Sequence, residues 1–217
     1  MKTFRILGNA FNYVPVIFDV ILDIEQKGIF EIYPNVDSGE PPKILFAAHN
    51  YSYNIIQPEA YEGISGNEFT FGVNGPNAKF TVLNYFQRYG ITRNMYVNWL
   101  HPKAYVSRSV HLDQGIFVEP NATISSHANI GFGVTIKRNT SIGHHSIIGD
   151  FSEINPGVTI LSNVVIGQHV IIGGGSTIRD GISVGNNVMI GMGSNVTKSI
   201  PDNVIAFGNP CKVWKVK

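Results

Sequence analysis

The feature that most constrains this chain is a repeat of six residues. Counting in sixes from Val106, through Leu112, Val118 and Ile124 to Ile190 and Val196, gives sixteen positions, every one aliphatic. Four residues after each lies a second set, from Val110 and Ile116 to Ser194 and Ile200, all small or β-branched. A helix repeats near 3.6 and an alternating strand at 2, so a period of six fits neither. It fits a coil with three flat sides and one hexapeptide per side, the aliphatic residue pointing inward and the smaller one filling the corner. Gly often follows the aliphatic, as at Gly131, Gly143 and Gly149, where such a backbone is tight. The run therefore predicts a parallel β-prism over Val106 to Ile200, a little over five coils with no projecting loop. Pro201 cannot donate to a ladder and ends it, Gly208-Asn209-Pro210 is turn chemistry, and the tail from Cys211 to Lys217 is left to cover the last coil.

The first hundred residues follow another pattern. Phe4 to Leu7, Phe30 to Tyr33, Ile44 to Ala48 and Phe69 to Val73 read as strands. Tyr13 to Lys27 has helical spacing with Pro15 in its first turn, and Ala78 to Tyr89 reads as a helix stopped by Gly90. Asp37 to Pro42 is a turn-rich connector. Alternating strands and helices predict a small α/β domain with a parallel sheet over residues 1–100, ahead of the prism over 101–217.

A formal charge of +1, with Lys and Arg scattered singly, offers nucleic acid no electrostatic footprint. The most apolar run, Val14 to Ile24, is broken by Asp19 and Asp23, so no membrane span is expected. One cysteine, Cys211, and a start without a leader pattern point to a reducing cytoplasm.

Four stretches carry a resemblance to a known family: His101-Pro102-Lys103-Ala104-Tyr105-Val106-Ser107; Ile142-Gly143-His144-His145-Ser146-Ile147-Ile148-Gly149-Asp150-Phe151; Asn155-Pro156-Gly157-Val158; and Val196-Thr197-Lys198-Ser199-Ile200-Pro201 through Gly208-Asn209-Pro210. With them the chain resembles, nearly end to end, the bacterial sugar acetyltransferases that join a small Rossmann-like domain to a left-handed β-helix. These include enzymes acetylating nucleotide-linked bacillosamine and perosamine, and sialic acid O-acetyltransferases. The resemblance implies acetyl-CoA as co-substrate, a small-molecule sugar acceptor and a role in surface glycan synthesis. It also implies a homotrimer, since each cofactor groove lies between adjacent prisms.

Site residues follow from the same resemblance. His144 matches the catalytic base, and where the family places a carboxylate next to it this chain has His145. A neutral imidazole can hold its neighbour by a hydrogen bond but cannot stabilise imidazolium as a carboxylate does; the nearest acids in sequence are Asp150 and Glu153. Glu153 stands where some relatives carry a histidine contacting the acetyl group or acceptor, and Ser162, Gly174, Gly191, Met192 and Lys198 match cofactor-lining positions. The turn Gly8-Asn9-Ala10-Phe11-Asn12-Tyr13 takes the place of the family's glycine-rich nucleotide loop, keeping only its first glycine. Asn74, Asn77 and Lys79 match the second loop, bordering the sugar. The primary expectation is an N-acetyltransferase on a nucleotide-linked amino sugar, with sugar or sialic acid O-acetylation and a non-catalytic scaffold as alternatives. A zinc γ-type carbonic anhydrase needs two histidines five apart. Its reading fails because Ile116, Phe132, Gly149 and Gly174 follow His111, His127, His144 and His169 at that distance, so no metal is expected.

Overall fold

The structure is a computed structural model that describes residues 1–10, 12–35, 51–62, 64, 66 and 68–217. Inward aliphatics at every sixth position, most of them wholly buried, build one continuous prism core. Around it run three parallel sheets of two-residue strands. Face 1 carries Thr135–Ile136, Glu153–Ile154 and Ile171–Ile172; face 2 carries Thr123–Ile124, Ser141–Ile142 and Thr159–Ile160; face 3 carries Asn129–Ile130, Ile147–Ile148 and Val165–Ile166. This is the parallel β-helix expected from the repeat, with about six turns. It begins one hexapeptide earlier than the period alone suggested, because Trp99–Leu100 already pairs with Phe117–Val118 and Leu100 stands six before Val106.

From Leu112 to Ile190 the corners carry a residue in the left-handed backbone region, three places after the inward aliphatic. Gly is easiest there, and Asn and His are the side chains that tolerate it best. The chain uses Asn121, Asn139, Asn163 and Asn187, and also His127, His145 and His169, all near φ +60°. Phe151, at φ 59°, is the bulky exception. Such a conformation costs about 1–2 kcal/mol, offset by its burial among aromatic rings described below. The second set of the repeat works at the corners too: Ser146 Oγ donates to Leu161 O at 3.0 Å and Ser152 Oγ to Gly167 O at 2.8 Å, satisfying carbonyls the turns would leave bare.

The N-terminal sheet is wholly parallel. Its strands are β1 (Thr3–Leu7), β2 (Ile29–Tyr33), β3 (Ser52–Ile55) and β4 (Phe69–Phe71), in the order β3-β2-β1-β4. Helix α1 (Val14–Glu25) starts with Pro15 near its first position, as expected, and ends at Gln26 in the left-handed region. Helix α2 (Pro76–Gln87) starts two residues earlier than the sequence reading because Pro76 opens it. Strand β3 was not expected; the anticipated strand at Ile44 to Ala48 and the connector at Asp37 to Pro42 lie outside the described residues. The tail forms a strand, Lys212–Val216, antiparallel to Val204–Phe207, and so covers the last strand of face 1. No helix among the described residues is long and apolar enough to cross a membrane.

This α/β part packs on face 1 and on the corner between faces 3 and 1. Phe71 and Phe80 meet Phe132 and Phe151 of the prism at ring-centroid distances of 5.8 to 6.4 Å. Trp99 Nε1 donates to Thr70 Oγ1 at 2.7 Å, and buried His101 joins Asp23 of α1 at 2.7 Å. Because the inward layers interlock with little free space, Ile154→Ala should destabilise the protein by about 2–5 kcal/mol and Ile154→Val by about 0.5–1.5 kcal/mol, read by chemical denaturation. Equal effects for both variants would contradict a close-packed prism core.

Candidate functional site

The coil repeats every eighteen residues, so residues eighteen apart stack in columns. Asn163 N donates to His144 O at 2.9 Å and Gly181 N to Ser162 O at 3.1 Å, which places His144 and Ser162 in one column on the corner between faces 2 and 3; Lys198 follows Asn195–Val196, the last strand of face 2, toward the same corner, where the repeat shortens and Ile200 pairs with Val184. Gly174 and Met192 form another column, on the corner between faces 1 and 2, where Gly193 N donates to Gly174 O at 2.9 Å. The two columns border face 2, whose outward side chains include Thr123, Ser141, Thr159, Thr177 and Asn195. Short polar side chains leave that face low and its backbone approachable. Met192 stands out at one edge, 84% exposed. Gly191 has a structural reason of its own: a Cβ there would lie 2.7 Å from Phe207 Cβ.

His144 and His145 are both exposed on their corner. Their Nδ1 atoms lie 2.9 Å apart with the rings nearly perpendicular, a hydrogen bond that leaves both Nε2 atoms uncommitted to it. The ring of His127, one coil before His145, lies 5.0 Å from it. Neither acid near in sequence serves the pair. Asp150 accepts from Arg93 Nη2 at 2.8 Å and from Phe132 N at 2.9 Å. Glu153 is buried on face 1, where Lys137 Nζ donates to it at 2.6 Å and to Asn155 Oδ1 at 2.9 Å.

The two loops expected to hold an acceptor sit on the other side of the prism. Strands β1 and β4 are neighbours, while the chain leaves β1 first toward β2 and β3 and only later returns to β4. Their C-terminal ends thus form the point where strand order reverses, the usual binding crevice of an open α/β sheet. Gly8, Asn9 and Asn12 follow β1, and Asn74 and Asn77 follow β4. Gly8 has φ 89°, and Gly72 opposite it could not bear a Cβ, which would fall 2.3 Å from Gly8 O. Asn74 Oδ1 is buried without a partner among the described residues. Glu153 belongs to this side by position, its Oε2 lying 3.8 Å from where a Cβ on Gly75 would be. Asn77 lies at the rim of a polar groove of about 390 Å³ shared with Gln168, His169, Asn186, Asn187 and Asn203. Within one chain, therefore, the loops after β1 and β4 lie on one side and the imidazole pair on another, with face 3 between them.

Lys79, expected beside those loops, is buried instead. It lies on the buried stripe of α2 with Val82, Leu83 and Phe86, and its Nζ donates to Gly133 O at 2.7 Å and to Thr135 Oγ1. It lines an enclosed cavity of about 10 Å³ with Tyr13, Thr70, Trp99 and Thr135, about the volume one water needs. Burial lowers the Lys79 ammonium to a pKa of about 7, against the opposing pull of Glu153 and with a smaller push from Lys137.

Part of the prism matches a known family, and the whole chain shares its fold with solved structures. Residues 163–198 match the family described as bacterial transferase hexapeptide (six repeats). No curated protein sequence matches. Among solved structures, a mutant of perosamine N-acetyltransferase from Caulobacter crescentus, in complex with CoA and GDP-perosamine, is 19% identical with a TM-score of 0.79, covering 99% of this chain and 97% of that one. The acetyltransferase domain of PglB from Neisseria gonorrhoeae FA1090, in complex with acetyl coenzyme A, is 21% identical with a TM-score of 0.80, covering 98% of each chain. WeeI from Acinetobacter baumannii AYE is 18% identical with a TM-score of 0.82, covering 98% of this chain and 100% of that one. The chain thus has the complete fold of these proteins, α/β part and left-handed prism together.

The buried lysine generates a pH prediction. Its folded pKa is depressed, so between about pH 7 and its ordinary value of 10.5 the unfolded chain binds more protons than the folded one, and stability rises with pH there. The slope approaches about 1.4 kcal/mol per pH unit. Above pH 10 the sign reverses, since burial pushes Tyr33 and Tyr51 up to about 12 and stability is lost as the unfolded tyrosines ionise. Denaturation midpoints measured from pH 7 to pH 9.5 should rise in the parent protein and stay nearly flat in Lys79→Met. An equal rise in both would remove Lys79 as the cause.

Proposed function

We propose that this protein is an acetyl-CoA-dependent N-acetyltransferase acting on a nucleotide-linked amino sugar in surface glycan synthesis, and that it works as a homotrimer. The observation that carries the reading is the hydrogen-bonded imidazole pair exposed on a prism corner beside a low, polar face, in a chain with the full fold of proteins solved with CoA or acetyl coenzyme A. Acetyl-CoA lies along face 2 between the column of His144 and Ser162 and the column of Gly174 and Met192, with Lys198 within reach of a phosphate. A second copy supplies the other wall of that groove and brings its own acceptor crevice, with Gly8, Asn9, Asn12, Asn74, Asn77 and Glu153, toward the imidazoles. This arrangement resolves the separation seen within one chain.

In this mechanism His144 Nε2 takes a proton from the acceptor and so frees a lone pair to attack the thioester carbonyl. The tetrahedral intermediate then collapses, the carbon–sulfur bond breaks, and the same proton passes from Nε2 to the departing thiolate. The second reading is a hydroxyl acceptor on a sugar or sialic acid, with which the imidazole in place of a carboxylate beside His144 and the altered loop after β1 are compatible.

A panel of nucleotide-linked amino sugars and sialic acids assayed for free CoA release distinguishes the two. His144→Ala should lower turnover about 10²- to 10⁴-fold with little change in acetyl-CoA affinity. Full activity in that variant would remove the proposed base. Excess acetyl-CoA should raise the melting temperature by mass action, whereas an unchanged melt would favour a scaffold.

A further inference from the structure

We propose that His145 is a proton exit for His144, and that His127 is the positioning residue that holds His145 in line; the proposal rests on His144 being the base. A hydrogen bond between two Nδ1 atoms 2.9 Å apart requires one to carry a proton and the other to accept. If His144 is to receive a proton at Nε2, that atom must be bare and its proton must sit on Nδ1. Then His144 Nδ1 donates, His145 Nδ1 accepts, and the proton of His145 sits on its Nε2. A carboxylate at position 145 would accept the same bond, but its Brønsted role ends there. An imidazole adds a second nitrogen with a proton it can give to water, and His145 is exposed.

The reaction supplies a use for that second nitrogen. An amino sugar at neutral pH is an ammonium, and its acetylation by a thioester yields an amide, a thiol and one proton. Two protons leave the nitrogen. One ends on the sulfur by way of His144 Nε2. Before attack can begin, one proton's worth of charge must therefore reach bulk water. Along the pair, the ammonium proton arrives at His144 Nε2, the Nδ1 proton of His144 moves to His145 Nδ1, and the Nε2 proton of His145 leaves to water. Each ring gains one proton and loses one. His144 Nε2, now protonated, gives that proton to the departing thiolate and then takes the second proton of the acceptor nitrogen; once the products leave, release of that proton from Nε2 to water, reprotonation of His145 Nε2 by water and return of the His145 Nδ1 proton to His144 Nδ1 restore the resting pair, with one proton exported in all.

His127 enters through the period of the coil. It stands eighteen residues before His145 in the equivalent corner position, with φ 58° against 57°, so the two side chains leave the backbone in parallel. Their rings lie 5.0 Å apart and tilted by 33°. That contact limits rotation of the His145 ring, whose Nδ1 must keep facing His144. The corner's tolerance for histidine accounts for His127, His145 and His169 all standing in such positions, but not for the Nδ1 contact, since His144 is outside that set. Among the described residues, no carboxylate is hydrogen-bonded to the rings of His127, His144 or His145.

The test is ¹⁵N NMR of the full-length protein labelled at histidine, at a pH well above the ordinary imidazole range. The relay predicts His144 protonated on Nδ1 and His145 on Nε2; free imidazole side chains favour Nε2, so Nδ1 protonation at His144 is the distinguishing signal. His145→Ala should return His144 to the Nε2 form. His127→Ala should reduce the Nδ1 fraction at His144, and His127→Phe, which keeps a ring against His145, should restore it. The opposite tautomers in the parent protein, or a His144 signal unchanged in His145→Ala, would overturn the relay. A His144 signal unchanged in His127→Ala would overturn the positioning role. None of these readouts needs an acceptor, so their failure is distinct from failure of the amino-sugar reading, which His144→Ala tests by turnover.

Discussion

The interaction on which the rest of the structure depends is the backbone ladder from one coil to the next. Bonds such as His111 N to Ala128 O at 2.9 Å and Thr177 N to Ser194 O at 2.8 Å recur along the prism and fix its pitch at eighteen residues. A fixed pitch turns sequence spacing into spatial columns. Side chains eighteen apart become neighbours with parallel directions, and those six apart occupy successive faces. No loop has to be ordered for this, so little conformational entropy is lost in presenting a site beyond what folding the prism already costs. The price is that a column cannot bend toward another face, and groups on different corners remain apart.

That rigidity explains the division of labour. The imidazoles are held on one corner, the low polar face lies beside them, and the α/β part is bolted across another face by Lys79, Trp99 and the rings around Phe151. The strained backbone of Phe151 is understandable only in that setting, because its ring is what Phe71, Phe80 and Phe132 pack against. Lys79 is the more costly element, a desolvated ammonium whose preference for neutrality records how completely the two parts exclude water between them.

Much of this was legible in the sequence, for a physical reason. A prism has one structural period, so the inward residues from Val106 to Val196 could be read by counting, and only the first hexapeptide at Leu100 was missed, where His101 and Pro102 look like a junction. The N-terminal elements were legible where apolar runs marked them. Strand β3, half exposed at the sheet edge, has no such run. Lys79 fell inside the expected helix but was matched by resemblance to the loop bordering the sugar; its spacing with Val82, Leu83 and Phe86 places it on the buried stripe of α2, and its charge concealed that pattern. His144 and His145 could be singled out by resemblance, but their Nδ1 contact depends on ring orientation, which no spacing specifies. The separation of His144 from Glu153 and from the acceptor loops likewise emerged only when residues were assigned to faces.

The central claim is that one copy's imidazoles act on an acceptor held by another copy. Subunit complementation tests it directly: a His144→Ala chain and an Asn74→Ala chain, each impaired alone, are unfolded together, refolded as a mixture, and assayed for CoA release with the best amino sugar of the panel. The account predicts that activity reappears in the mixture, because some boundaries then join an intact His144 to an intact Asn74 loop. Activity of the mixture no greater than the sum of the two separate variants, with mixed oligomers demonstrated by mass spectrometry, would contradict it.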